Sequence, residues 1–452
     1  MLKMTRVDPT LGAITPSMLK YAIPIFLNSL IQTLMNATDA AVLGNMADSV
    51  AVASVGATST IVALLVASMI SIAGGSNIIL ARAYGARNYD RCKTIMNTAL
   101  AVAVGLGALI AVVGSTVARP ILTAMNCPSD CIDGSTTYLV IYLFSAPLTL
   151  LYNFGAGIIS VSGDSAKPMK YMIISGVSNV ILNIILCLVL TNKVVAVAAA
   201  TVVGTGISAV LVLRDLLHHD KFPLEPRRLS FSPREALLIF KYGIPMAFNS
   251  ALYSLSNVLI QSAINSYGSS AIAGNTSAIY IENIPSGVNG AFGSATIMFV
   301  GQNLGANKPE RVKKSIFICT LSCFIVSATV AITLFALGKP CLSIFVPEDE
   351  TAISFGLMRM KHLLPLYGLA AINGCLASAI SAFGFTSIPT LNSVISVLLL
   401  RIVWMRFIYP QSPTPDMLYL CYSISWILSF LIAISAFLVI YARFKKGKIK
   451  KL

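Results

Sequence analysis

Lys20-Tyr21-Ala22-Ile23-Pro24, followed by Asn28-Ser29, returns 221 residues later as Lys241-Tyr242-Gly243-Ile244-Pro245, followed by Asn249-Ser250. A string that recurs at a fixed offset marks an internal duplication. After one residue of slippage, Gly85-Ala86-Arg87-Asn88-Tyr89-Asp90-Arg91 pairs with Gly305-Ala306-Asn307-Lys308-Pro309-Glu310-Arg311, and Gly163 and Pro168 pair with Gly384 and Pro389. Each copy is strongly apolar. The 452 residues are 56% hydrophobic and 11% charged, with a mean hydropathy of +0.82, which is too apolar for a water-soluble globule. Lipid is the expected solvent. One span needs about 20 apolar residues, so the chain has room for roughly a dozen spans and no sizeable soluble domain.

Apolar runs fall near 17–44, 51–80, 94–118, 135–160, 169–190, 194–217, 237–265, 271–300, 314–337, 354–383, 388–408 and 415–442. The expected fold class is all-α integral membrane, with twelve transmembrane helices in two parallel-repeat six-helix lobes around a central cavity. The expected boundaries are 1–217 for the first lobe, 218–236 for a linker and 237–452 for the second lobe. Loops counted alternately collect all but seven of the 32 basic residues on one side. The seven are Arg119, Lys193, Lys339, Arg359, Lys361, Arg401 and Arg406. This bias makes the basic side, with the linker and both termini, cytoplasmic, and the location the cell (inner) membrane. Net charge +15 is thus read as orientation rather than nucleic-acid binding. Arg401 and Arg406 are read as snorkelling from the outer end of their span. The start of the chain lacks the pattern of a cleaved signal peptide.

Chemistry should concentrate at polar residues placed at lipid depth. Asp39 and Glu282 fall well inside expected spans, where a carboxylate costs several kcal/mol unless protonated, paired or bound to a cation. Asn28, Gln32, Asn36 and Asp39 share one helical face. The duplicate face keeps Asn249 and Asn257, carries Tyr253 opposite Gln32, and has Ile260 in place of Asp39. The acid therefore belongs to the first lobe alone, which suggests a coupling site there. The competing reading of the amides is interhelical hydrogen bonding. Glu282, about eleven residues into its span, is a candidate for attracting substrate or an acid capped by neighbours such as Asn283. Pro24 and Pro245 each remove a backbone hydrogen bond and mark candidate hinges.

No nucleotide-binding loop, metal-ligand cluster or nucleophile–base pair is visible, so neither an enzyme nor an ATP-driven pump is expected. No catalytic residue, metal ligand or cofactor is assigned. The nine cysteines have no ligand spacing; Cys127 and Cys131 could pair in an oxidising compartment, and small apolar packing is the alternative.

Ile23-Pro24 at the first span, Thr38-Asp39 followed by Gly44, Tyr84-Gly85-Ala86-Arg87 with its copy Leu304-Gly305-Ala306-Asn307, and Gly163-Asp164 with Pro168 occur in one order. In these motifs and the repeat, the chain resembles the multidrug and toxic compound extrusion (MATE) family over nearly its full length. The resemblance implies alternating access, proton or sodium coupling, and export of cationic amphipathic compounds. It also implies that Asp39 works with Asn183 on the fifth span and Thr201 on the sixth; Asn36, on the same helical face as Asp39, joins this cation-coupling set by its spacing. Cys187 stands where the family's pattern has a second acid. A hard cation prefers several oxygen ligands, so that departure favours H+ over Na+ as the coupling ion. The expected substrate-facing residues are Glu282, Gln32, Asn28, Asn249, Tyr253 and Asn257. The expected partners are a small-molecule substrate and the lipid bilayer, with no nucleic acid, and a monomer is expected to suffice. The alternatives are a lipid-linked saccharide flippase of the same superfamily, a non-transporting membrane scaffold and a membrane transferase.

Overall fold

The computed structural model describes residues 6–46, 49–125, 127–347 and 349–447; within the helices, residues 36, 37, 39–41, 43, 45 and 49 are described by backbone alone. Every apolar run read from the sequence is helical. The first half contains α1 (Ile14–Met46), α2 (Ser49–Gly85), α3 (Tyr89–Ala124), α4 (Ile132–Phe144), α5 (Ala146–Val161), α6 (Ala166–Val189) and α7 (Lys193–Leu217). The second half contains α8 (Pro233–Asn265), α9 (Ser269–Gly305), α10 (Pro309–Ala336), α11 (Gly338–Ser343), α12 (Glu350–Leu363), α13 (Tyr367–Ala382), α14 (Ser387–Ser393), α15 (Leu400–Val403) and α16 (Pro415–Lys445). Two stretches between and after α14 and α15, Val394–Leu399 and Trp404–Ile408, wind as π-helix, so that 387–411 forms one irregular span.

Among the described residues, nine helical spans are long and apolar enough to cross a bilayer, and ten if α4 and α5, bent by 43°, count as one. The bend falls at Ser145, just before Pro147, which the first turn of α5 tolerates because its backbone nitrogen needs no partner there. The copy of this break is the short 3-10 turn Leu364–Leu366 at Pro365, between α12 and α13. α8 and α9 have the length, 33 and 37 residues, but not the apolarity. Large aliphatic and aromatic side chains stand exposed along the other helices, as at Val112, Leu188, Phe317 and Ile332, the pattern of a lipid-facing surface.

The chain divides into two units, Met1–Asp8 with Ile23–Ala247, and Pro9–Ala22 with Phe248–Leu452. α1 changes unit between Ala22 and Ile23, and α8 between Ala247 and Phe248. Inside each unit the duplication is visible in the packing. In the first, α2 packs on α3 and α5, α3 on α5, and α7 on α4 and α5; in the second, α9 packs on α10 and α13, α10 on α13, and α16 on α12 and α13. The repeated turns also match. Arg87 and Asn307, after α2 and α9, both take left-handed backbone with φ of 57° and 54°, and Gly163 and Gly384 do so with φ of 100° and 85°. At Gly163 a side chain is excluded twice over, by that conformation and by the Val7 carbonyl against which its Cα rests.

In the first unit, the close approach of two backbones fixes α2 against the start of α8. A Cβ at Gly75 would stand 2.5 Å from the Ile239 carbonyl and 2.6 Å from the Gly243 nitrogen. Small residues permit such contact where the surrounding lipid supplies no hydrophobic drive. The segment after α7 is tied to the same unit by ion pairs of Lys93 with Glu225 (2.6 Å), Arg91 with Glu235 (2.9 Å) and Arg6 with Asp220. All nine cysteines are free, Cys127 and Cys131 among them.

Candidate functional site

The polarity that distinguishes α8 and α9 lies on defined faces. Tyr253, Asn257 and Gln261 recur every four residues along α8, while Asn275, Glu282, Ser286 and Asn289 follow spacings of seven, four and three along α9. Both faces line one cavity of about 360 Å3 in the second unit, closed by residues of α12, α13, α15 and α16. Its size falls in the range of small-molecule sites.

A buried ion pair organises one wall. The Arg359 guanidinium donates from Nε to Glu282 Oε1 (2.9 Å) and from Nη2 to Glu282 Oε2 (2.7 Å), with both side chains 6% exposed. Its Nη1 donates to Asn275 Oδ1 (3.0 Å), whose own Nδ2 donates to Gln261 Oε1 (3.0 Å). Tyr419 donates to the same Asn275 oxygen (3.3 Å), and Tyr367 donates to the Glu282 carbonyl (3.2 Å). Trp426 packs edge-on to Tyr367 with ring centroids 5.1 Å apart. Two-pronged geometry and the third bond to Asn275 are what allow two charges to remain at this depth.

Arg401 makes the other wall. It is 1% exposed, donates from Nη1 to Asn257 Oδ1 (2.9 Å), and lies 4.2 Å from the centroid of the Tyr422 ring. Its Nε is buried without a hydrogen-bond partner. The snorkelling expected for Arg401 is therefore overturned: an amide and an aromatic face within the protein replace the water that snorkelling would seek. Arg406 is exposed.

The structure gathers Glu282, Tyr253 and Asn257 of the expected substrate set around this cavity. Asn249, two turns earlier than Asn257 on α8, is not among the lining residues, and its Oδ1 is buried without a partner. Asn28 and Gln32 belong to the first unit, where Asn28 Oδ1 accepts from the Tyr152 hydroxyl (3.3 Å) and Gln32 is half-buried. Of the expected coupling set, the side chains of Asn36 and Asp39 lie outside the described residues. Asn183 is fully buried on α6 and donates to Asn179 Oδ1 (3.2 Å), while the Thr201 hydroxyl donates back to the Val197 carbonyl of its own helix (3.0 Å). Cys187 packs in an apolar cluster with Tyr138, Val194 and Val197. Pro24 and Pro245 lie inside α1 and α8.

Arg359, Arg401, Gln261, Asn275 and Tyr422 join the site without having been expected there. The four-residue spacing from Tyr253 to Gln261 and an arginine inside an apolar run are the signals for them that the sequence holds. Among the described residues no group of three or more His, Cys, Asp or Glu side chains could hold a metal ion.

Residues 24–187 and 245–405 match the family described as MatE. The probable multidrug resistance protein YoeA of Bacillus subtilis (strain 168) is 30% identical over 396 residues, covering 84% of each chain. The FAD transporter of Shewanella oneidensis is 23% identical over 336 residues, 71% of this chain and 72% of its own. Among solved structures, a MATE protein in the bent conformation superposes with a TM-score of 0.88 at 18% identity, covering 99% of both chains.

Proposed function

Because the chain belongs to the MatE family, a family of multi-pass membrane transporters and not of enzymes, we propose that it is a secondary active antiporter that exports small amphipathic compounds, cationic drugs among them, by alternating access. The observation that carries this reading is the 360 Å3 cavity of the second unit, walled by a buried ion pair, an amide network and aromatic rings. A scaffold has no use for a desolvated ion pair and amide network at that depth, since each costs free energy that apolar packing would not. The proton is the proposed coupling ion and Asp39 its carrier, with Asn36, Asn183 and Thr201 around it. Packing of α1 on α6 supports this. A Cβ at Gly176 would meet Met35 Sδ at 2.9 Å, and Val42 packs on the cluster that contains Cys187. Position 39 falls between Met35 and Val42 on α1, as position 183 falls between Gly176 and Cys187 on α6, which supports the pairing. Bending near Pro24 and Pro245, where α1 and α8 pass from one unit to the other, is the proposed hinge.

The substrate class is wider than the sequence suggests. Glu282 has its charge offset by Arg359, which weakens it as an attractant for a cation. A relative that carries the name FAD transporter extends the range to phosphate-bearing molecules. A flippase for lipid-linked saccharides is the second reading, favoured by the two arginines that line the cavity. We place the protein in the inner membrane as a monomer with both termini cytoplasmic. The test is ethidium transport in inverted vesicles under imposed proton or sodium gradients. Proton-driven transport that disappears in Asp39→Asn is the expected result; transport that survives this substitution would remove Asp39 from coupling, and dependence on sodium alone would replace the ion.

A further inference from the structure

We infer that the cavity of the second unit binds an anionic group, a carboxylate or phosphate on an amphipathic molecule, with Arg401 as its receptor and the Tyr422 ring beside it. The inference rests on the exporter reading for the direction in which that molecule travels, and on the cavity alone for its binding.

The charges lining the cavity are those of Glu282, Arg359 and Arg401, two cations against one anion. Both oxygens of Glu282 are taken by Arg359 at 2.9 and 2.7 Å, so that pair closes on itself. Arg401 is left as a buried guanidinium, because the one carboxylate among the lining residues is the Glu282 already held by Arg359. One nitrogen reaches the neutral Asn257 amide at 2.9 Å, one face is covered by Tyr422, and Nε is buried with no acceptor. A guanidinium removed from water with an unfilled donor is unfavourable, and an anion is the partner that its planar fork of donors fits.

The backbone around Arg401 is built irregularly. It sits in the four-residue α15, between the π-helical stretches Val394–Leu399 and Trp404–Ile408. Such turns are rare and concentrate at functional sites, since they disturb the regular backbone pairing. Here the disturbance is held in place: Ser256 donates from its hydroxyl to the Val397 carbonyl (3.0 Å), and Ser396 donates to the Asn392 carbonyl (2.7 Å). The aromatic walls, Tyr253, Tyr422 and Trp426, suit a flat ring attached to the anion.

The experiment uses the full chain in lipid nanodiscs, with carboxyfluorescein as the anionic probe and ethidium as the cationic one, each read by fluorescence anisotropy. Wild type is expected to bind carboxyfluorescein, and Arg401→Gln to lower the ratio of carboxyfluorescein affinity to ethidium affinity at least about tenfold. Arg401→Lys, which keeps the charge but loses the fork and the plane against Tyr422, should recover only part of the affinity lost in Arg401→Gln, and thermal unfolding of both variants separates a lost site from a lost fold. Discs of phosphatidylcholine alone and discs carrying phosphatidylglycerol identify the source of the anion. Displacement of the probe by phosphatidylglycerol makes a lipid headgroup the occupant, and equal binding in both makes it a water-borne substrate. Equal carboxyfluorescein affinity in wild type and a folded Arg401→Gln overturns the inference, as does a wild type that binds ethidium and no anion. If Arg401-dependent binding appears while vesicles show no gradient-driven transport of either probe, the exporter reading falls and the anion site stands.

Discussion

Replacing Glu282 by glutamine removes one charge from a pair in which both side chains are 6% exposed, and leaves Arg359 to find other partners. Breaking a buried pair from one side typically costs about 3–5 kcal/mol. The lower end is expected here. Arg359 keeps its bond to Asn275 at 3.0 Å and the Tyr422 face at 5.0 Å, and the amide that replaces the carboxylate still offers one oxygen to a guanidinium nitrogen. The expected loss is therefore about 3 kcal/mol. Replacing Arg359 by glutamine as well removes the orphaned charge, so the double variant should be more stable than Glu282→Gln alone, with a coupling of at least about 2 kcal/mol in the cycle. Reversible unfolding by dodecyl sulfate in mild detergent measures this. The chain has two tryptophans, and Trp426 lines the same cavity, edge-on to the Tyr367 ring that is bonded to Glu282, so intrinsic fluorescence reports on the region directly. A loss below about 1 kcal/mol, or a double variant no more stable than the single one, would show that the pair is not the organising feature of this wall.

Gly75→Ala should cost about 1–3 kcal/mol, because the new methyl meets the backbone of Ile239 and Gly243 at 2.5 and 2.6 Å and neither can move alone; the same unfolding assay checks it. Gly163→Ala combines a φ of 100° with the Val7 carbonyl contact and should lower the melting temperature of the full chain by several degrees or more, whereas an unchanged melting temperature would mean that this turn yields. Burial, and after it the charge of Arg6, pushes His219 down to about 4 from 6.5, against the opposing pull of Asp220 and Asp215. Between about 4 and 6.5 the unfolded chain then binds more protons than the folded one, so stability rises with pH across that window. His219→Gln should flatten this limb in melts taken from pH 4 to pH 7, and an unchanged slope would mean that other groups set it.

The spans, their duplication and the polar faces of α1 and α8 are legible in the sequence, because lipid imposes a run length and a helix imposes a spacing. The repeated left-handed turns at Arg87 and Asn307 are legible as a shared motif, though not as geometry. The charged wall is not legible in the same way. Arg359 lies in the run broken by Lys361 and Pro365, and Arg401 near the end of its own span, so counting charges by loop assigns both to the outer side. Their actual roles depend on partners 77 and 144 residues away, Glu282 and Asn257, and no local pattern carries a pairing over that distance. Glu282 stands out in the sequence by its cost in lipid; that the cost is offset by an arginine rather than by a proton or a cation is a property of packing.

The wide separation within that pair has a consequence for how the protein is made. Glu282 leaves the ribosome 77 residues ahead of Arg359, a lag of roughly 4–15 s at ordinary elongation rates. For that interval α9, less apolar than most of the other long helices, carries a carboxylate that has no counter-charge. It must enter protonated, or wait at the membrane surface or against the insertion machinery until α12 arrives. The order of synthesis thus makes the second unit a late-assembling one: α8 and α9 are delivered first and settle last, when the helices that carry their cations have been added.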